Sequence, residues 1–246
     1  MDVKLVSRTI NLFELLAAEQ KPLSLAEISR LMEVPMSSCF ALVRTLVNRG
    51  YLYEVRKRGG YYPTRRLLFL AQAIDAVDPI VEMLHPRLVE LRDKSGETAV
   101  LGKVQGPSVL YLDIVESVKP IRYSAVLGDI RPLHANSIGK AIFNELTPQE
   151  QQSLGDQLKF TLYNDKTVSN ISALLTQMET VKARGWAVNL GETAPELSAV
   201  AVALRIGEDL YGISIVGPTE RLEKSLDVHG AMLLDTKTKI EAQESF

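Results

Sequence analysis

Residues 24–50 read SLAEISRLMEVPMSSCFALVRTLVNRG, and this stretch decides the fold of the N-terminal part of the chain. Ser24 followed three residues later by Glu27 has the spacing of a capping box, placed ahead of the apolar Leu25, Ile28 and Leu31, so a short helix is expected to begin here. Glu33, Val34, Pro35 and Met36 make a turn, Ser37 is expected to cap the next helix, and Gly50 stops it. On that helix Cys39, Leu42, Val43 and Leu46 share the face that meets a core. Upstream, Val6, Ile10, Phe13 and Leu16 recur at helical spacing before Pro22. Downstream, Tyr51 to Arg56 alternates, Lys57, Arg58, Gly59 and Gly60 supply a basic turn, and Tyr61 to Pro63 returns as a second strand. Three helices followed by a basic hairpin form a winged helix-turn-helix, which lays one helix in the major groove and its wing against the phosphates.

The face of that helix opposite Cys39 presents Ser37, Ser38, Phe40, Ala41, Arg44, Thr45 and Asn48. Arg44 suits a bidentate guanine contact, Ser37 and Ser38 suit bases or phosphates, and Phe40 suits a thymine methyl. Arg8, Arg49, Lys57 and Arg58 suit phosphates, which position a protein without reading sequence, and Ser24 joins the DNA-binding candidates at its helix start. Cys39 is read as a small apolar core residue. Charge distribution agrees. Residues 1–66 carry 11 Lys/Arg against 6 Asp/Glu, a balance of +5, so a chain of net charge −2 leaves −7 for the remainder. A basic segment ahead of an acidic body suits a double-stranded DNA partner for the first part only.

Composition excludes several other classes. One cysteine cannot form an internal disulfide, and His85, His134 and His229 are too far apart in sequence for a metal-ligand motif. Neither a metal nor another cofactor is expected. No apolar run reaches the roughly 18 to 20 residues of a membrane span, and the first residues lack the apolar core of a signal peptide, so a cytoplasmic protein without a membrane partner is expected.

Beyond the hairpin, Arg65 to Val77 is rich in Leu and Ala and reads as a connector helix, broken at Asp78 and Pro79. The helix after it carries Ile80, Met83, Leu84, Leu88 and Leu91 on one face. Strands are expected at residues 98–104, 109–115, 121–126, 186–190, 197–205 and 210–216. Helices are expected from a cap at Asn136 or Ser137 through Leu146, from Pro148, from a cap at Ser169 to Gly185, and from about Leu222. The fold class is therefore α+β: a winged helix-turn-helix over residues 1–64, a connector helix over 65–78, and a body over 79–246 with an antiparallel sheet and helices.

These residues resemble the IclR family of bacterial regulators over nearly the whole chain. The resemblance is carried by residues 34–38 (VPMSS), 46–52 (LVNRGYL), 96–98 (GET), 133–141 (LHANSIGKA), 185–189 (GWAVN) with Gly191 and Glu192, and 216–218 (VGP). It implies a GAF-like effector-binding domain, homodimers or homotetramers, and control of catabolic operons by small carboxylates or aromatic acids. By the same resemblance the effector site involves Ser137, Ile138, Asn189, Ala199, Ser214 and Val216. The start of a helix is in addition a natural anion site, since its N–H groups and dipole favour negative charge. Where many family members have Asp, Cys and Ser, this chain has Asn189, Ala199 and Val216. The loss of a charge and of polar atoms implies a larger or more apolar ligand, an aromatic or branched acid. Ala41 stands where Arg is common, so the operator sequence does not carry over from the family.

Two other functions compete. An enzyme would have to be built on His134 with Asn136, Ser137 and Lys140, but no serine here sits in a nucleophile-elbow pattern. A metabolite-binding or oligomerising protein without specific DNA recognition would leave the basic first segment unexplained. The favoured reading is a regulator that binds DNA as a dimer on a pseudo-palindromic operator and responds to a small organic acid.

Overall fold

The computed structural model describes residues 3–56, 59–75 and 78–243. The chain divides into two compact units, Met1–Asp78 and Pro79–Phe246.

The first unit contains α1 (Lys4–Glu19), α2 (Leu25–Leu31), α3 (Met36–Asn48), the hairpin β1 (Leu52–Glu54) and β2 (Tyr61–Pro63), and α4 (Arg66–Asp75). Leu12, Leu16, Leu23, Ile28, Cys39, Leu42, Val43, Leu46 and Leu52 form its core. The stripe expected on α1 holds in its second half only: Leu16 is buried and Phe13 packs on the core, with Leu12 beside them, whereas Val6 and Ile10 are 56% and 53% exposed. The early turns of α1 extend past the small core, so apolar spacing there marks no buried face. The capping box on α2 is present. Ser24 N–H donates to Glu27 Oε2 at 2.8 Å, and Glu27 N–H donates to Ser24 Oγ at 3.3 Å. Ser37 is not the cap of α3. Glu33 takes a left-handed φ of 53°, and Pro35 stands at the cap position with its carbonyl accepting from Cys39 N–H at 3.0 Å. A Schellman closure ends α3, with Gly50 at φ 74° and Tyr51 N–H donating to Leu46 O at 2.9 Å. Lys57 and Arg58 at the hairpin tip lie outside the described residues, as do residues 76 and 77 of the expected connector.

The second unit is built on a six-stranded antiparallel sheet of order β5-β4-β3-β8-β7-β6. Its strands are β3 (Thr98–Gln105), β4 (Ser108–Val115), β5 (Ile130–Pro132), β6 (Ala187–Leu190), β7 (Leu197–Ile206) and β8 (Asp209–Pro218). Its helices are α5 (Pro79–Ser95), α6 (Ser137–Glu145), α7 (Pro148–Gly155), α8 (Ile171–Arg184), α9 (Thr219–Leu222) and α10 (Leu226–Gln243). Each sheet face carries a core. Leu84, Leu88 and Leu91 of α5 and Leu233 of α10 pack with Ile213 and Ile215, while Ile138, Ile142 and Phe143 of α6 pack with Val100, Ala201 and Val216 on the other side. Alternation along β8 thus sends successive residues to opposite cores.

Gly102 and Gly212, paired across β3 and β8, let α6 lie flush on the sheet. A Cβ at Gly212 would sit 2.5 Å from Ile138 Cγ2. Two sequence expectations fail in this unit. Residues 121–126 form no strand; Ile121 and Val126 are solvent-exposed, and the third strand of that meander is β5, hydrogen-bonded to β4. Asn170, not Ser169, caps α8: its carboxamide Oδ1 accepts from Ala173 N–H at 2.9 Å.

Candidate functional site

Two surfaces carry the candidate residues, one in each unit. On α3, Ser37, Phe40, Ala41, Arg44, Thr45 and Asn48 are exposed and Ser38 is half-buried, while Cys39, Leu42, Val43 and Leu46 are buried. The Arg44 guanidinium carbon lies 5.8 Å from the Phe40 ring centroid, so cation and ring share one patch. Arg8 and Arg49 meet in a groove of about 590 Å³ between α1 and α3 that also takes in Ser38, Ala41 and Thr45. Ser24 is apart from this set: its hydroxyl donates to Glu27 Oε2 at 2.6 Å inside the capping box. The Cys39 thiol faces Leu25 O at 3.6 Å, and burial raises its pKa. Arg66, which sequence reasoning did not single out, stacks on Tyr51 with its guanidinium carbon 5.1 Å from the ring centroid.

The second unit encloses a cavity of about 280 Å³ between the end of β5, the start of α6 and the residues around Asn189 and Thr193. Ser137, Asn189, Ala199 and Val216 line it; Ile138 and Ser214 do not. The Ile138 side chain turns down onto Gly102 and Gly212 instead. Asn136 is the cap of α6, its Oδ1 accepting from Ile138 N–H at 2.9 Å and Gly139 N–H at 3.2 Å. Its Nδ2 donates to Tyr111 Oη at 2.9 Å. Asn189 is engaged at both ends, donating to Ala135 O at 2.6 Å and accepting from Glu192 N–H at 2.9 Å. Sequence reasoning missed Tyr111, Tyr123, Arg131, Tyr163 and Thr193, which complete the polar wall. A tyrosine within the apolar run of β4 was the available signal for the first of them.

The residues of the enzyme alternative are engaged in other contacts. His134 Nε2 lies 3.1 Å from Thr161 O, its ring tilts against Phe160 at 5.1 Å, and burial lowers its pKa. Lys140 is buried, hydrogen-bonded to Glu192 Oε1 and, at 3.3 Å, to Val188 O. Burial lowers the Lys140 pKa against the pull of that carboxylate. Glu192 Oε2 is buried with no hydrogen-bond partner among the described residues. No group of three or more metal-ligating side chains occurs among the described residues, and none of their helices is long and apolar enough to cross a membrane.

Comparison with known proteins finds matches for both parts of the chain. Residues 5–56 match the IclR helix-turn-helix domain, and residues 71–242 match the family described as bacterial transcriptional regulator IclR C-terminal. The HTH-type transcriptional regulator KdgR of Escherichia coli is 26% identical, covering 98% of this chain and 94% of that protein. The HTH-type transcriptional regulator BhcR of Paracoccus denitrificans is 27% identical, covering 89% of this chain and 79% of the relative. Among solved structures, the IclR of Thermotoga maritima superimposes with a TM-score of 0.81 at 20% identity, covering 98% of each chain. An IclR homologue from Microbacterium hydrocarbonoxydans complexed with 4-hydroxybenzoate gives 0.78 at 18% identity, covering 98% of this chain and 99% of the other. With a helix-turn-helix and an α+β body that each match the family, the chain belongs to the IclR family of bacterial transcriptional regulators and is a DNA-binding regulator.

Proposed function

We propose that the protein is an effector-responsive regulator of a catabolic operon, acting in the cytoplasm as a homodimer or homotetramer. In this reading residues 1–64 bind the operator, 65–78 connect, and 79–246 bind a small organic acid. One observation carries the effector half: Ser137, at the start of α6, lines the cavity together with Asn136, Asn189, Ala199 and Val216. A concave site with a few polar groups on an otherwise apolar wall is the usual form of a small-molecule site. The relative complexed with 4-hydroxybenzoate supports an acid as that ligand. Arg44, Phe40, Ser37 and Ser38 read bases in the major groove, and Arg8, Arg49, Lys57 and Arg58 hold phosphates.

Effector and DNA are linked by a coupling free energy, so binding of one changes the affinity for the other by an equal factor. Fluorescence anisotropy on DNA from upstream of the gene, at two salt concentrations, tests the DNA half. Tight, salt-sensitive and sequence-selective binding that loses selectivity in Arg44→Ala supports the reading. Equal binding to random DNA, with no preferred site recovered from a randomised library, refutes it.

A further inference from the structure

We infer that the second unit carries a second ligand site, a cleft between α6, α8 and β6 in which Arg184 and Lys140 hold a small tetrahedral oxyanion, inorganic phosphate or the phosphate head of a monoester. The cleft measures about 200 Å³ and is lined by Lys140, Gln177, Thr180, Val181, Arg184 and Val188. Two of these six side chains are cationic and none is acidic. The cleft shares no lining residue with the cavity around Ser137.

Arg184 is a fixed anchor and not a mobile surface charge. Its guanidinium carbon lies 3.8 Å from the Trp186 ring centroid, and its Nε donates to Trp186 O at 2.7 Å. These contacts hold one face of the guanidinium and its inner N–H, while Nη1 and Nη2 make no hydrogen bond or ion pair among the described residues. Burial lowers the Arg184 pKa, and Asp227 opposes that only through space. The free end of a planar guanidinium can donate to two oxygens of one oxyanion, and an arginine already held in place loses little freedom in doing so.

Lys140 reaches the cleft from α6. It is 1% exposed, and its contacts to Glu192 Oε1 and Val188 O use two of its three N–H donors. Burial lowers its pKa, Glu192 opposes this, and the Arg184 charge is near enough to lower it further. Two cations that repel one another, with Glu192 bonded to Lys140 alone, are brought into balance by an anion that touches both. Gln177 and Thr180 share the Arg184 face of α8 and add a carboxamide and a hydroxyl that have no hydrogen-bond partner among the described residues. Donors arriving from α6 and from successive turns of α8 surround a tetrahedral group better than a planar carboxylate. At roughly 30 Å³ per water-sized group the cleft holds about six or seven non-hydrogen atoms, room for a phosphate.

Because Arg184 stacks on Trp186, the single tryptophan of the chain, an anion on that guanidinium changes the indole emission. Titration of the full-length protein with inorganic phosphate at constant ionic strength is expected to give a saturable change that chloride does not give, with the same affinity by calorimetry. Arg184→Gln is expected to weaken phosphate binding about tenfold or more, the loss of a charge-assisted contact, and Arg184→Lys to recover part of it. The double variant Gln177→Ala/Thr180→Val, at a half-buried and an exposed position, is expected to weaken it about threefold or more. Arg131→Met, in the other cavity, leaves it unchanged. A response that chloride reproduces overturns the assignment, as does full affinity by calorimetry in Arg184→Gln or lost affinity in Arg131→Met. Should a urea melt show that Arg184→Gln does not fold, undiminished affinity in the Gln177→Ala/Thr180→Val variant overturns it. Tighter binding of glycerol 3-phosphate than of inorganic phosphate identifies a monoester as the occupant, and equal or weaker binding identifies the free ion.

Discussion

Replacing Lys140 by Met is expected to destabilise the second unit severely, and replacing Glu192 as well is expected to undo most of the damage. Both side chains are nearly inaccessible, at 1% and 6% exposure, so the ion pair is desolvated on both sides. Removal of one member strands the other charge in low dielectric, a loss of about 3–5 kcal/mol. Glu192 is a severe case because its Oε2 already lacks a partner among the described residues and Lys140→Met would deprive Oε1 of its own. For a unit of this size the midpoint should fall by on the order of 10 °C. The double variant Lys140→Met/Glu192→Met leaves no buried charge and should recover at least half of the loss, since apolar replacement of a buried pair is often neutral or better. Trp186, the single tryptophan, is buried in the second unit, so its fluorescence in urea melts reports on that unit alone. A single variant that loses less than about 1 kcal/mol, or a double variant no more stable than the single one, would refute the reasoning.

Four further outcomes follow from the same geometry. Ser24→Ala should cost the first unit about 1 kcal/mol through loss of the α2 cap, measured by thermal melting followed by circular dichroism. Its pH dependence has a definite sign: hydrogen bonds from Ser24 hold the Glu27 carboxyl below its ordinary value of 4.5, so the wild type's advantage is present above 4.5 and fades as pH falls through the lowered value. Gly230→Ala should destabilise despite the better helix propensity of Ala, by about 1–3 kcal/mol in urea melts, because its Cβ would lie 2.5 Å from Trp186 Cε2. Arg44→Ala should cost about 1–3 kcal/mol at one operator position and relax selectivity there, whereas Arg49→Ala should weaken all sequences alike and lower the salt slope by about 1, both read by anisotropy.

The first unit was legible because its signals are local. The Ser24–Glu27 spacing, Pro22, Gly50 and the Cys39–Leu46 stripe each act within one or two turns, and each element they mark is present. Ser37 misled because capping preference speaks of a residue type, whereas the turn at Glu33 and Pro35 fixes which residue stands at the cap. In the second unit the strands of the sheet centre were legible as apolar runs, since they are covered on both faces. Residues 121–126 have the same alternation but are mostly solvent-exposed, and alternation alone cannot distinguish a paired strand from a loop crossing the surface. The cavity was only half legible. Ser137, Asn189, Ala199 and Val216 were expected together from the family resemblance and do line the cavity, but Arg131 and the tyrosines come from four separate segments that only the fold brings together.

The centre and the β5 edge of the sheet should differ in how readily they open. Hydrogen exchange should be slowest at Val100, Ala201, Val202, Ile213 and Ile215, whose amides belong to strands flanked by neighbours and roofed by side chains above and below. β5 is the opposite extreme: three residues, paired along one edge only, with Ile130 and Arg131 facing water. Peeling it back breaks few hydrogen bonds and uncovers little oil, so its opening should cost a small fraction of global unfolding. The cavity, lined in part by Arg131 and Pro132, therefore borders the strand of the sheet expected to exchange fastest.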